Sequence, residues 1–190
     1  MCHLQDQCMW PASSLATGYK INSTVSVNTT SGFSIVKYTG YGSASTVGHG
    51  LGTAPTLLIN KALGTQDWFI GISANSGSDS ISFAQFLKLN DTANASTNSG
   101  IWNDTAPSSS VFTINSGNGN TNASGVDYIT YCFTEKTGFS KFGMYQGNSS
   151  SNGPFIYTGF RPAFVMIKQA TGGNANEVWR MMDGSINPTN

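Results

Sequence analysis

The chain has 190 residues, only 9% of them charged, and its nine Lys and Arg balance its nine Asp and Glu. An average soluble domain carries about 25% charged residues, so this chain lacks the basic patch that binds a nucleic-acid backbone by counterion release. Aromatic residues make up 12% of the chain, which separates it from disordered sequences of similar polarity. No apolar stretch is long enough to predict a membrane span.

The first residues differ from the rest of the chain. Residues 1–19 show no hydrophobic periodicity, and we interpret them as a linker or the tail of a preceding domain. They lack the basic opening and the apolar run of a signal peptide. Three cysteines, Cys2, Cys8 and Cys132, are irregularly spaced, which argues against a disulfide framework. Residues 20–190 are predicted to form a single β domain.

From residue 20 onward, short apolar runs alternate with clusters of Gly, Ser, Asn and Thr, a pattern typical of strands joined by turns. We therefore expect an all-β fold, a β-sandwich or a related antiparallel fold with little helix. The run 80–89 could form a helical face, but its period-2 apolar pattern favours a strand. In chain order, the predicted strands are 20–27, 33–39, 56–60, 67–73, 80–89, 111–114, 126–134, 139–145, 163–168 and 178–182.

Two of the predicted strands, TLLIN and AFVMIK, are apolar at consecutive positions rather than alternate ones. This pattern indicates strands that are buried on both faces. We expect Leu57, Ile59, Phe164 and Ile167 to be fully buried there, each stabilising the fold by about 1.5–3 kcal/mol.

An internal repeat links two distant parts of the chain, at about 24–61 and 130–168. Each copy is predicted to hold a strand, a Gly-Phe-Ser turn, a second strand, a glycine-rich loop and a third strand. The shared residues set chain geometry rather than chemistry, which indicates a scaffold. The matched pairs are Gly32 with Gly138, Phe33 with Phe139, Tyr38 with Tyr145, Gly40 with Gly147, Gly52 with Gly159, Pro55 with Pro162, and Lys61 with Lys168.

The first copy continues to Trp68 and the second to Trp179. The second copy lacks counterparts of the strands from Ser80 to Thr134. We interpret the repeat as one duplicated β unit within a single fold, or as the start of a longer array. We expect either that a neighbouring chain completes the sheet or that the sequence is a piece of a longer protein.

Catalytic chemistry finds little support in the sequence. His49 is the one plausible acid-base imidazole, but its counterpart in the repeat is Ile156, and we expect a polar side chain on a turn. The carboxylates are scattered beside turns and form no pair of the kind that glycoside hydrolysis needs. Cys2, His3, Asp6 and Cys8 fit no standard zinc spacing. We expect no enzymatic activity, no metal and no cofactor.

Aromatic residues beside polar turns are the remaining candidates for a site. Tyr41 and Trp102 stand next to Gly, Ser and Asn, where a ring can stack on a sugar and polar neighbours can bind its hydroxyls. They are our candidate contacts to a glycan or receptor. The alternative is that a large ring closes the edge of a β core, and we favour that alternative for Trp68 and Trp179.

Several segments together carry a family resemblance: GFSIVKYTG, TVGHGLGTAP, IWNDTAPSSSVFTI, YITYCFTEKTGFSKFGMYQGN and GPFIYTGFRPAFVMIK. With these motifs in this order, residues 20–190 resemble an uncharacterised domain family found in tail-fibre and other virion structural proteins of marine tailed bacteriophages. HGLGTAP also resembles a turn found between strands in many phage tail proteins. The resemblance implies a β-rich, non-enzymatic virion component, and it supplies no catalytic residue.

The leading hypothesis is therefore a phage virion structural protein, a tail-fibre or surface-appendage component involved in host attachment. It would be assembled in the bacterial cytoplasm, contact other virion proteins and form a homo-oligomer, with a trimer as the favoured state. A carbohydrate-binding module that contacts host surface glycans is the first alternative, and a head decoration protein is the second. A polysaccharide depolymerase is disfavoured because no pair of carboxylates emerges.

Overall fold

A computed structural model describes residues 14–16, 20–115, 119–172 and 177–184. Within these ranges nearly all regular structure is β, which confirms the predicted fold class. The elements are β1 (Ser14–Ala16), β2 (Ser23–Asn28), β3 (Phe33–Thr39), β4 (Ser45–Gly48), β5 (Leu57–Ala62), β6 (Trp68–Ile72), β7 (Ala74–Ser76), β8 (Asp79–Ile81), β9 (Gln85–Lys88), β10 (Ser96–Thr97), α1 (Ser99–Trp102), β11 (Val111–Ile114), β12 (Asp127–Phe133), β13 (Phe164–Ile167) and β14 (Arg180–Asp183).

One large antiparallel sheet organises the fold, with the strand order β1-β2-β3-β12-β5-β6-β9-β10. Three two-stranded ribbons, β4–β11, β7–β8 and β13–β14, accompany it. An isolated bridge between Ile21 and Val47 joins the chain just before β2 to the β4–β11 ribbon. The large sheet with its smaller covering sheets is a sandwich-like arrangement. The one described helix, α1, is far too short to cross a membrane.

β12 belongs to the second copy of the repeat, yet it lies in the middle of the sheet between two strands of the first copy. Phe133 lies opposite Phe33 of β3 on one side and opposite Leu57 of β5 on the other. Its sequence, DYITYCF, alternates between the two faces of the sheet, as expected for a strand with one face in the core. The side chains on its buried face are Tyr128, Thr130 and Cys132.

The main core lies between this face of the sheet and a cover formed by α1 and the β4–β11 ribbon. Complete burial of each large apolar side chain here stabilises the fold by about 1.5–3 kcal/mol. The largest buried side chains of this cluster are Trp102, Tyr128, Phe69, Phe83, Phe112, Leu58, Ile101 and Ile114.

A polar network crosses the same core and links three central strands. The side-chain amide of Asn60 donates to the Tyr38 hydroxyl at 2.8 Å and to the Thr130 hydroxyl at 2.7 Å. The Tyr38 hydroxyl in turn donates to the Thr121 carbonyl at 2.7 Å. Because a buried polar group that loses its partner is costly, a register slip of β3, β5 or β12 is disfavoured.

The opposite face of the sheet carries a second, smaller cluster. Its fully buried members are Leu57, Ile70, Ile81 and Leu87, and Phe142, Met144 and Trp179 pack against them. Stacked rings continue across this face. Tyr131 stacks with Phe33 at 6.3 Å and with Trp68 at 6.5 Å between ring centroids. Of the residues described from 139 onward, Phe142, Met144, Ala170 and Trp179 pack against the cluster on this face.

Three differences from the predicted strands have local causes. The run 80–89 is divided between β8 and β9 by a turn in which the Gln85 amide donates to the Ser82 carbonyl. Residues 139–145 form no strand, since none of the described strands pairs with them, and the Phe142 amide donates to the Glu135 carboxylate instead. The predicted glycine-rich loop of the first copy contains an additional strand, β4.

The expected burial of TLLIN and AFVMIK is confirmed only in part. Leu57 is buried, but Ile59 and Ile167 are half-buried, and Phe164 is 59% exposed. The prediction for Phe164 is wrong because β13 pairs with β14 alone among the described strands. At the start of the chain, β1 lies within the segment interpreted as a linker and pairs with β2, whereas residues 1–13 and 17–19 lie outside the described residues.

Candidate functional site

Tyr41 stands on the loop that follows β3, and its side chain is 60% exposed. The ammonium of Lys20 lies 5.3 Å from the centroid of the ring, within the range of a cation–π contact. The same ammonium donates to the Ala44 carbonyl and to the Ser43 hydroxyl. We call Tyr41, Lys20 and Ser43 the Tyr41 patch.

A buried amide holds this loop in place. The Asn122 side-chain oxygen accepts from the Tyr41 amide at 2.6 Å, and its side-chain nitrogen donates to the Ser43 carbonyl at 2.6 Å. Asn122 is fully buried, so these hydrogen bonds are shielded from water. Gly40 packs directly against the Ala123 carbonyl. The backbone beneath the exposed Tyr41 ring is therefore rigidly positioned.

The Tyr41 patch combines an exposed aromatic ring with an ammonium and a hydroxyl. A ring of this kind can stack on the apolar face of a sugar, while the polar groups can bind its hydroxyls. The geometry leaves Tyr41 accessible, and its assignment as a glycan or receptor contact stays a prediction.

Trp102 has a different environment, and its prediction as a surface contact is wrong. Its side chain is 1% exposed and packs edge-to-face against Phe83 at 5.8 Å. The cause is α1, which begins after Asn98, whose side chain accepts from the Gly100 amide at 2.8 Å. One helical turn directs the indole into the core, where no external ligand can stack on it.

His49 is buried, and both of its ring nitrogens are hydrogen-bonded to backbone groups. Its Nε2 donates to the Ser108 carbonyl at 3.1 Å, and its Nδ1 accepts from the Leu51 amide at 3.2 Å. These partners fix the neutral imidazole with its proton on Nε2. Burial lowers the pKa of His49 below its usual value. To accept a proton, Nδ1 would have to lose the hydrogen bond from the Leu51 amide, and to donate one, Nε2 would have to leave the Ser108 carbonyl.

Several carboxylates are engaged by lysines. Asp67 lies 2.8 Å from the Lys88 ammonium, and that hydrogen bond lowers the pKa of Asp67. Asp127 accepts from the Thr39 hydroxyl at 2.6 Å and lies 3.1 Å from the Lys37 ammonium. These contacts lower the pKa of Asp127. Such pairs at the ends of strands suit structural roles.

No group of three or more potential metal ligands occurs among the described residues. The candidate set Cys2, His3, Asp6 and Cys8 lies outside them. An open depression of about 440 Å³ lies between the two Gly-Phe-Ser turns of the repeat. Its lining residues are Asn28, Thr30, Ser31, Lys136, Thr137 and Phe139.

The sequence repeat corresponds to two hairpins with similar contacts, β5–β6 and β13–β14. Trp68 lies opposite Lys61. In the second hairpin Ile167 lies opposite Arg180, and one further step in the same register corresponds to Lys168 and Trp179. The Lys61 ammonium donates to the Gln66 carbonyl at 2.8 Å, two residues before Trp68. The Lys168 ammonium likewise donates at 2.6 Å to the carbonyl two residues before Trp179. The sequence repeat thus corresponds to a repeated lysine-braced hairpin.

The glycines of the repeat differ in what surrounds them. A Cβ at Gly40 would meet the Ala123 backbone, whereas a Cβ at Gly147 would meet nothing within 4 Å. Gly32 and Gly138 both have positive φ, but only Gly32 is crowded, by Thr134 and Lys136. Gly52 and Gly159 both have positive φ and open surroundings. Pro55 and Pro162 precede β5 and β13.

Comparison with known proteins gives one result that covers nearly the whole chain. A family model described as Domain of unknown function (DUF7483) matches residues 8–190. The chain belongs to the DUF7483 family. The match to DUF7483 includes β1, both repeat copies and the Tyr41 patch. Searches of curated proteins and of solved structures each found no match.

Proposed function

We propose that this DUF7483 chain is a virion structural protein of a tailed bacteriophage, a tail-fibre or surface-appendage component that takes part in host attachment. The proposal rests on the resemblance carried by the motifs of residues 20–190, and on the way the two repeat copies share one sheet. The observation that carries it is the insertion of β12 between β3 and β5, which interlocks the two copies in one sheet. Interlocked β units suit a protein that must hold its shape.

The low charge of the chain fits such a role in a saline environment. With only 9% charged residues, its surface interactions change little with ionic strength. In this role the chain assembles with copies of itself, as a trimer, and with other virion proteins.

Labelling intact particles with an antibody raised against this chain tests the proposal. Electron microscopy is expected to place the label on tail fibres or another surface appendage. Label on the capsid surface would favour a head decoration protein, and particles without any label would contradict a virion role.

A second candidate function, carbohydrate binding, is favoured by the Tyr41 patch. The exposed Tyr41 ring beside the Lys20 ammonium is suited to stack on a host glycan. On a glycan array, the wild-type chain is expected to bind a defined subset of sugars. Tyr41→Ala should weaken that binding about tenfold or more, since ring stacking supplies much of the affinity of such sites.

Tyr157→Ala is the matched control, because Tyr157 is 79% exposed and lies outside the Tyr41 patch. Its binding should equal that of the wild type. If the two variants lose binding equally, or if Tyr41→Ala loses none, then Tyr41 is not the contact.

A further inference from the structure

The two copies of the repeat share their apolar pattern but differ sharply in burial. Leu57 of β5 is 7% exposed, whereas its counterpart Phe164 of β13 is 59% exposed. Ile70 of β6 is 2% exposed, whereas its counterpart Met181 of β14 is 65% exposed. We call the β13–β14 ribbon the open hairpin. Its apolar pattern matches that of the β5–β6 hairpin, but Phe164 and Met181 are much more exposed than their counterparts.

In the first copy, the strand equivalent to β13 is paired on both of its edges. β5 pairs with β6 on one edge and with β12 on the other, over six residues from Leu57 to Ala62. β13 pairs with β14 on one edge, and no described strand pairs with the other edge. β12 is the first strand of a repeat unit. The equivalent neighbour of β13 would therefore be the first strand of another unit.

The chain presents one such strand at an edge. β2 occupies the position in the first copy that β12 occupies in the second. Within the described part of the chain, its outer edge pairs with the three residues of β1, opposite Ser23–Val25. Neither β2 (STVSVN) nor β13 (FVMI) contains a charged residue, so no like-charge repulsion opposes their pairing.

We propose that the open hairpin binds a second copy of this chain, with β13 of one copy pairing antiparallel to the outer edge of β2 of the next. The contact continues the β5–β12 pairing that already joins the two repeat copies within one chain. In the equivalent register, Val27 lies opposite Phe164 and Val25 lies opposite Met166. β1 leaves the edge of β2 when the second copy binds.

This contact joins two different surfaces, so it is heterologous. Repeated from copy to copy, it closes into a ring, such as a trimer, or extends as an open array. The inference rests on the assembly role proposed above and names the surface that would carry it. The Tyr41 patch lies outside both strands, so glycan binding and assembly can be tested separately.

Disulfide trapping between variants that each carry one added cysteine, with Cys132 left buried, tests the register. In a background with Cys2→Ser and Cys8→Ser, mixing Val27→Cys with Phe164→Cys should give a cross-linked heterodimer under mild oxidation. A disulfide needs Cβ atoms about 3.8 Å apart, which opposed residues of a pair can reach. Val165→Cys in place of Phe164→Cys is the control, because a shift of one residue directs the side chain to the other face.

Sedimentation of uncross-linked protein tests the same surface without engineered thiols. Phe164→Lys should weaken self-association about tenfold or more, because it places a charge in the apolar contact. Leu63→Lys is the matched control, since Leu63 is 56% exposed and lies outside both strands. Its association should equal that of the wild type.

The outcomes separate this inference from the proposed function. If self-association persists in Phe164→Lys and no cross-link forms, the open hairpin is not the contact, and the assembly role stands through another surface. If the wild-type chain stays monomeric at all accessible concentrations, the open-hairpin contact and the proposed assembly role are both contradicted. Equal cross-linking at Phe164 and Val165 would overturn the proposed register.

Discussion

Gly40 and Gly147 occupy the same position in the two copies of the repeat, and the structure predicts opposite effects of replacing them with alanine. A Cβ at Gly40 would collide with the Ala123 carbonyl oxygen and lie 3.0 Å from the carbonyl carbons of Ala123 and Asn122. These atoms belong to backbone and cannot rotate away. Neither Gly40 nor Gly147 has a positive φ, so the contrast between them is one of space alone.

The cost at Gly40 follows from its hydrogen bonds. Its amide donates to the Val126 carbonyl at 2.8 Å, and its carbonyl accepts from the Gly125 amide at 3.0 Å. Relieving the collision must lengthen these bonds or move the neighbouring Tyr41 loop. We expect Gly40→Ala to lower the free energy of unfolding by about 3 kcal/mol, near the top of the usual range for overpacking. For a chain of this size that corresponds to a melting temperature lower by about 6–12 °C.

Gly147→Ala should have the opposite sign. With open space around it, the added methyl group mainly restricts the unfolded chain and stabilises by about 0.4–1 kcal/mol. Thermal and urea denaturation, followed by circular dichroism, measure both variants against the wild type. The reasoning is refuted if Gly40→Ala melts within about 1 °C of the wild type, or if the two variants shift together.

Two further predictions concern buried titratable groups. Because burial lowers the pKa of His49 in the folded state, its contribution to stability is complete above about pH 6.5 and is lost as the pH falls below that value, by up to about 1.4 kcal/mol per unit. Urea denaturation at pH 7 and pH 5 should show this loss in the wild type and not in His49→Gln, and equal losses would show that His49 is not responsible. Burial also raises the pKa of Cys132 to about 12, so the folded chain should resist iodoacetamide at Cys132 at pH 8 until urea unfolds it. Peptide mass spectrometry measures this, and rapid labelling of the folded chain would contradict the burial of Cys132.

Much of the main sheet could be predicted from local pattern. DYITYCF and FSIVKYT are short runs rich in aromatic and β-branched residues, and β12 and β3 lie within one residue of the predicted limits. β4 was not predicted because its four residues, STVG, lie among glycines that suggest a loop. The burial of Trp102 could not be predicted either, because a four-residue helix is too short to show periodicity.

The open hairpin shows why the burial of a strand could not be predicted from its local sequence. LLIN in β5 and FVMI in β13 give the same local signal, yet only the first is largely buried. Burial depends on whether another strand pairs alongside, and for β5 that strand comes from a distant part of the chain. The same holds for Gly40 and Gly147, which match in sequence and differ in their neighbours.

The central position of β12 also governs how the chain reaches its fold. Phe33 and Phe133 are far apart in sequence yet opposite each other in the sheet, so pairing β3 with β12 closes a long loop. Folds dominated by such distant contacts form slowly. During synthesis, β3 can pair with β2 and β5 with β6, but the other edge of β3 and of β5 stays open until β12 has been made. Neither copy of the repeat is therefore an independent folding unit, and the first copy is most exposed to misassociation during that interval.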